Sequence, residues 1–264
     1  MSFTLTNENY HSLEANQTYM SRSLYDKFCD CEAATMAYLS GKWSEEASTA
    51  LLIGQYVHAW SEGTLADFMA EHPECFKKDG TLKADYELAN RMIETLRNDE
   101  FAMYVLEGRK EVILTAEFAG TQWKVMLDVY DPEHRRIVDL KTTRSITEHA
   151  WNAELKTKLS FIENYNYLTQ AALYCEIERL ASGREDGDWL SFFLAVVSKE
   201  KYPDKEIIDM RDPLRYAQEL AAIKERMPRI LAVKNGEIEP LRCDYCDYCR
   251  ATKKLVGAVH WSKI

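Results

Sequence analysis

Apolar and polar residues alternate with a helical period through most of residues 20–110. The apolar positions recur every three or four residues, which predicts amphipathic helices. The clearest candidates are residues 21–41, 45–65 and 83–108, the last of which reads as two short helices. Ser21 or Ser23 would cap the first helix, and Gly41 would end it. The first part of the chain is therefore expected to be helical.

After residue 110 the pattern changes to β-type alternation and continuous apolar runs. Ala119-Gly120 and the segment "DPEH" supply turns between three such runs, which predicts an antiparallel meander over residues 110–118, 121–131 and 135–143. The elements expected next are a helix over 161–183, a doubly buried strand over 188–199 and a helix over 212–236. Pro228 is expected to kink or break the last helix. The order predicts an α/β fold, with a central mixed sheet between helices and a helical N-terminal region.

Length and composition indicate one domain. The 264 residues are 46% hydrophobic and contain no linker-like stretch, so residues 1–264 are expected to form a single domain. Its parts would be a helical segment over 20–110, a core over 110–235 and a cysteine-containing tail over 236–264. Neither an export signal nor an apolar run of about 18 residues is present, which favours a cytoplasmic protein that does not enter membranes. The net charge of −10 argues against a protein that coats nucleic acid, but not against an enzyme with a local groove.

Acidic residues and a lysine lie together within the predicted meander. Asp139 and Lys141 are two positions apart in "IVDLKTT", so both would point to one face of the strand. Asp128 would end the preceding strand and could share a divalent cation with Asp139. Two carboxylates, a lysine and a hard cation are the components needed to hydrolyse a phosphodiester. The alternative is an ordinary surface salt bridge to Lys141 or Arg144.

Four segments in this order resemble the PD-(D/E)xK nuclease superfamily. "LDVYD" and "IVDLKTT" resemble its D-x(n)-(D/E)-x-K core. "LLIGQYVHAW" and "QAALY" resemble the G-x-x-x-H and Q-x-x-x-Y motifs of its RecB-type branch. Together the segments are similar to phage and prophage exodeoxyribonuclease VIII, the RecE type, over residues 20 to 250.

The resemblance implies roles for individual residues. The implied metal ligands are His58, Asp128, Asp139 and the backbone carbonyl of Leu140. Lys141 would be the catalytic lysine. Gln170 and Tyr174, one helical turn apart, would orient the lysine or contact DNA near the scissile phosphate.

Other charged residues match less closely. Glu111 could add an acid from the first strand, although an exposed strand acid is the simpler interpretation. Arg144, Lys156 and Lys158 follow the acid–lysine strand and could contact phosphates. Ordinary solvent-exposed positions would explain these three basic residues equally well.

The activity implied by the resemblance is Mg²⁺-dependent exonucleolytic resection of double-stranded DNA ends. Two Mg²⁺ ions are expected, with Mn²⁺ as a substitute, and 5′ to 3′ digestion would leave 3′ overhangs for a single-strand annealing protein. The family further implies a homo-oligomeric ring, with a tetramer favoured, and a phage or prophage protein in a bacterial cytoplasm. The alternatives are an iron–sulfur single-strand nuclease of the CRISPR-adaptation kind and a non-catalytic DNA-binding protein with a nuclease fold.

The cysteines form a second candidate site. Cys243, Cys246 and Cys249 are spaced three apart, as in iron–sulfur and zinc sites, and either Cys31 or Cys29 could supply a fourth ligand. Some RecB-type nucleases hold an iron–sulfur cluster with one N-terminal and three C-terminal cysteines. In those nucleases the last of the three C-terminal cysteines usually lies further along the chain than Cys249 does here. An iron–sulfur cluster, a zinc ion and unliganded thiols all stay open from the sequence.

Overall fold

The computed structural model describes residues 3–44, 49–152, 155–255, 257–258 and 260–263. Its helices are α1 (Leu13–Thr18), α2 (Arg22–Asp30), α3 (Glu32–Leu39), α4 (Thr49–Glu62), α5 (Leu65–Glu71), α6 (Ala84–Arg97), α7 (Glu100–Val105), α8 (Phe161–Asn164), α9 (Tyr167–Ala181), α10 (Pro213–Lys234) and α11 (Asp247–Ala251). Its strands are β1 (Arg109–Phe118), β2 (Thr121–Asp131), β3 (Arg136–Thr143), β4 (Ala150–Asn152), β5 (Thr157–Leu159), β6 (Ser191–Ser198) and β7 (Lys205–Asp209). Short 3₁₀ turns cover Pro73–Cys75 and Trp261–Lys263.

Among the described residues, five strands form the main sheet in the order β1-β2-β3-β6-β7. β2 and β3 are antiparallel, with Val129 opposite Val138, whereas β3 and β6 are parallel, with Asp139 opposite Leu194. β7 pairs antiparallel with β6. The mixed sheet flanked by helices that the sequence predicts is therefore confirmed.

The two faces of β3 pack against different partners. Val138 and Leu140 are buried in an apolar cluster that also contains residues of α4 and α6. Asp139 and Lys141 point the other way, where Gln170 of α9 bonds Asp139. This alternation is the ordinary consequence of strand geometry. It places a charged pair on a strand whose other face is core.

Two predicted helices are interrupted. The helix expected over 21–41 divides at Cys31, whose extended backbone (φ −162°, ψ 105°) ends α2 and begins α3. The helix expected over 161–183 divides at Asn166, which adopts a left-handed conformation with φ of 51°. Asparagine tolerates that conformation because its short polar side chain can bond locally.

The helix break considered at Pro228 does not occur. α10 continues through Pro228, with Met227 and Ile230 buried on its apolar face. Burial of that face outweighs the roughly 3 kcal/mol that a helical proline costs. Residues 45–48, where the helix expected over 45–65 would begin, lie outside the described residues.

Several short elements are absent from the sequence prediction. They are α1, α5, the β4–β5 hairpin and β7. Each is seven residues or shorter, and so carries too few turns or alternations for a periodic signal.

By its contacts the chain divides into two compact units. Unit 1 comprises Met1–Glu45, Ala119–Thr121 and Lys224–Ile264, and unit 2 comprises Glu46–Phe118 and Gln122–Ile223. The main apolar cluster, between Ile53 and Ile207, belongs to unit 2. Among the described helices, none combines the length and apolar character needed to cross a bilayer.

Candidate active site

The acid–lysine pair on β3 is buried and held by α9. Asp139 is only 3% exposed, and its Oδ2 lies 2.6 Å from Lys141 Nζ. Gln170 Nε2 donates a hydrogen bond of 2.6 Å to Asp139 Oδ1. Gln170 therefore orients the carboxylate, whereas the sequence resemblance implied that it orients the lysine or contacts DNA.

Asp128 lies where β2 and β3 separate. Its Oδ2 accepts the backbone N–H of Leu140 at 2.8 Å, so a side chain takes a hydrogen bond that a neighbouring strand would otherwise accept. The N–H and C=O of one strand residue point to the same side, so the Leu140 carbonyl is aimed toward Asp128. β2 continues to Asp131, and the expectation that Asp128 ends its strand is wrong. The Asp128 carboxylate therefore bonds β3 just beyond the last paired residues of β2 and β3.

His58 reaches this carboxylate from α4. Its Nδ1 lies 3.5 Å from Asp128 Oδ2, and the two side chains are 27% and 16% exposed. Gly54, one turn earlier, faces Thr142 on β3. α4 thus packs against β3 at this point, and His58, one turn later, lies beside Asp128.

Two glutamates lie beside this group: Glu111, which the sequence offers as a possible further acid, and Glu62, which was not identified from the sequence. Glu62, one turn after His58 on α4, shares a hydrogen bond with Glu111 of β1. Burial, the negative charge of Glu62 and the charge of Asp128 raise the pKa of Glu111 to about 7. The four-residue spacing of His58 and Glu62 was a usable signal, since such residues share a helix face. The site therefore holds more carboxylates than the D-x-K pattern indicates.

The lysine carries its proton at neutral pH. Burial lowers the pKa of Lys141, but the carboxylates of Asp139 and Asp128 raise it to a net value above the ordinary one. Burial raises the pKa of Asp139, and the Lys141 charge opposes that shift. The Lys141 ammonium also lies 5.4 Å from the ring centroid of Tyr167, a cation–π distance. Tyr167 is a lysine neighbour that no sequence motif indicated.

The remaining predicted residues lie in varied surroundings. Tyr174 packs against Phe192 with ring centroids 6.2 Å apart, and its functional role stays a prediction. Arg144 is exposed and lies 3.4 Å from Glu148. Lys156 and Lys158 lie on the β4–β5 hairpin, where Lys158 is opposite the exposed Trp151. Basic and aromatic side chains thus share this hairpin, as in surfaces that bind single strands.

The cysteines also converge, within unit 1. One sulfur from each of Cys31, Cys243, Cys246 and Cys249 lies within 4.8 Å of the others. Cys29, the alternative fourth ligand, is exposed and outside this group. The structure therefore selects Cys31.

Comparisons with known proteins agree with this geometry. A family described as "PDDEXK-like domain of unknown function (DUF3799)" has a sequence model that matches residues 21–252. A crystal structure described as a "Putative exonuclease" from Eubacterium rectale is similar, with a TM-score of 0.90 and 40% sequence identity. The match covers 98% of this chain and 97% of that one. No curated protein matches significantly.

Proposed function

The chain belongs to the PDDEXK-like family and has the fold of a nuclease, and from this premise we propose that it is a Mg²⁺-dependent exodeoxyribonuclease. It would resect one strand of a linear duplex, 5′ to 3′, and leave 3′ overhangs. The observation that carries the proposal is the convergence of four side chains, namely His58, Asp128, Asp139 and Lys141.

The donor set fits a hard divalent cation. Asp139 Oδ2 is a buried oxygen that no described residue supplies with an aligned hydrogen bond, although the Lys141 charge lies near it. Asp128 adds negative charge near it, and the Glu62–Glu111 pair lies near Asp128 in turn. Carboxylate and carbonyl oxygens are the ligands that Mg²⁺ prefers, and His58 adds a nitrogen that suits Mn²⁺ at least as well. His58, Asp128, Asp139 and the Leu140 carbonyl would hold one ion, and Glu111 would help to hold a second.

The residues of the site would have separate roles in hydrolysis. A bound cation would supply Lewis-acid chemistry at the scissile phosphate and promote proton loss from the attacking water. Lys141, protonated and held by Asp139, would stabilise negative charge on the phosphate in the transition state. Gln170 would keep Asp139 in one orientation. The hairpin residues Trp151 and Lys158 would contact the strand being cut.

Selection of duplex ends rests on two supports. One is the sequence resemblance to exodeoxyribonuclease VIII, and the other is the Eubacterium rectale protein, which is described as a "Putative exonuclease". A ring of identical copies, with a tetramer expected, would enclose the DNA, and an annealing protein would take the 3′ overhang. The net charge of −10 is compatible with such a ring. The acidic surface away from the site would repel DNA, so that DNA would bind only in the channel that contains the site.

The deciding experiment offers the full chain four substrates with Mg²⁺. They are end-labelled linear duplex, nicked circle, closed circle and single strand. We expect linear duplex to be consumed from the 5′ label while closed circles survive, and Lys141→Ala protein prepared in parallel should digest almost nothing in the same time. Cutting of closed circles would indicate an endonuclease. Digestion of single strands alone would favour the CRISPR-adaptation type of nuclease, and binding without cutting the non-catalytic alternative.

Replacement of His58 tests whether it is a metal ligand. We expect His58→Ala to raise the Mg²⁺ concentration needed for half-maximal cleavage by about tenfold, since loss of groups that support a metal typically costs 10- to 100-fold. A titration of initial rate against Mg²⁺ measures this. The control is His72→Ala, because His72 is partly exposed and pairs with Glu74. An unchanged Mg²⁺ requirement in His58→Ala would return His58 to a packing role.

A further inference from the structure

The four-cysteine site has the features of bound thiolates. Cys31 and Cys249 are 6% and 1% exposed. Three of the sulfurs accept backbone N–H groups: Cys31 from Ala34 at 3.5 Å, Cys243 from Cys246 at 3.3 Å, and Cys246 from Cys249 at 3.4 Å. Donors aimed at sulfur favour the charged thiolate, which is the form that binds metals.

The spacing between the sulfurs distinguishes the kinds of metal centre. The Cys31 and Cys249 sulfurs are 3.6 Å apart, the Cys243 and Cys249 sulfurs are 3.9 Å apart, and all four lie within 4.8 Å. Four Zn–S bonds of about 2.3 Å in a tetrahedron set S–S distances of about 3.8 Å. In a [4Fe–4S] cluster each thiolate binds a different iron, so the cube separates the sulfurs by roughly 6 Å. The observed sulfurs enclose room for one ion and not for a cube.

We propose that Cys31, Cys243, Cys246 and Cys249 hold a single zinc ion in tetrahedral coordination, in place of the iron–sulfur cluster that the sequence resemblance suggests. A single iron would fit the same distances. Zinc binds such sites more tightly than Fe²⁺ in the usual order of affinities, and it has no redox chemistry that would oxidise the thiolates.

The ion would tie the start of α3 to the segment that carries the other three cysteines. Polar contacts already join the start of α3 to α10 and to the residues just before Cys243. The Glu32 carboxylate pairs with Arg229 at 2.7 Å and accepts the backbone N–H of Leu241 at 2.8 Å. The backbone N–H of Ala33 bonds the Leu241 carbonyl at 3.0 Å. Close by, Arg242 donates to the Cys249 carbonyl at 2.8 Å. The metal would therefore complete an existing junction within unit 1, a structural role with no part in hydrolysis.

Metal analysis of the full chain tests the proposal without reference to nuclease activity. We expect protein purified without oxygen to be colourless and to contain about one zinc per chain, as a closed structural site requires. Exchange with Co²⁺ should give the strong visible bands of tetrahedral tetrathiolate cobalt. Brown protein with iron and acid-labile sulfide would overturn the proposal in favour of a cluster. Metal-free protein, with free thiols or with disulfides, would overturn it as well.

One cysteine inside the site and one outside it provide a test and its control. Cys246→Ser should lose the bound zinc and unfold at a lower temperature, because a structural metal contributes directly to folding free energy. Cys29→Ser, altered two positions from Cys31, should keep both the zinc and the melting temperature. If Cys246→Ser fails to fold, the cobalt spectrum of the unaltered protein still decides the site. Equal zinc content in the two variants would overturn the assignment of Cys246.

Discussion

Lys141→Ala is expected to reduce cleavage of linear duplex by a factor of about 10³ while leaving duplex binding measurable. Removal of one charge-stabilising donor from an active site costs about 10² to 10³ in rate, and Lys141 also neutralises the buried Asp139. Asp139→Asn should cause at least as large a loss, since it removes a proposed metal ligand. Asparagine keeps an oxygen that can accept the Gln170 hydrogen bond, so folding should survive.

Single-turnover rates at saturating Mg²⁺ measure these losses, and duplex binding in Ca²⁺ separates binding from cleavage. Ca²⁺ is expected to support binding without cutting, because its looser coordination positions the attacking water poorly. Lys205→Ala is the control, as Lys205 pairs with Asp99 on a partly exposed surface. Near-normal turnover in either Lys141→Ala or Asp139→Asn would show that the assigned site is wrong.

Arg184→Met is expected to lower the free energy of unfolding by about 3–5 kcal/mol. Glu178 of α9 is fully buried and pairs with Arg184, and removal of one partner leaves an uncompensated buried charge. The hydroxyl groups of Tyr130 and Ser182 also bond Glu178, at 2.7 Å and 3.0 Å, but they carry no charge. Urea unfolding followed by circular dichroism measures the change. α9 also carries Gln170, so cleavage should decline along with stability.

Two further variants make this result specific. The double variant Glu178→Gln, Arg184→Met should recover much of the lost stability, because no buried charge then lacks a partner. Arg135→Ala removes an exposed ion pair with Asp188 and should cost about 1 kcal/mol or less. Equal costs for Arg135→Ala and Arg184→Met would mean that burial of Glu178 does not matter.

The sheet was predictable because its strands are long and regular. β2, β3 and β6 have eight or more residues each, and the apolar runs and turn residues over β1, β2 and β3 predict their meander. The breaks at Cys31 and Asn166 were not predictable in the same way. Neither position carries a glycine or proline, and tertiary contacts decide the backbone there. Pro228 is the opposite case. A proline strongly predicts a helix break, but α10 continues because its apolar face is buried.

The active-site residues that share one strand or one helix motif were predictable from their spacing. Asp139 and Lys141 share a face of β3 by the two-residue period, and Gln170 follows from a helix motif. The bond from Leu140 N–H to Asp128 was not predictable, because it depends on where two strands separate. Contacts of Tyr167 with Lys141 and of Glu62 with Glu111 join distant segments for which no spacing rule exists.

The distance along the chain between Cys31 and Cys249 also sets an order of assembly during synthesis. The two residues are 218 positions apart. At about 5–20 residues added per second, Cys31 is incorporated roughly 10–45 s before Cys249. Unit 2, with all the proposed catalytic residues, is fully synthesised once Ile223 has been added. Cys31 therefore remains a thiol without its three proposed partners until after the last residue of the nuclease sheet has been made.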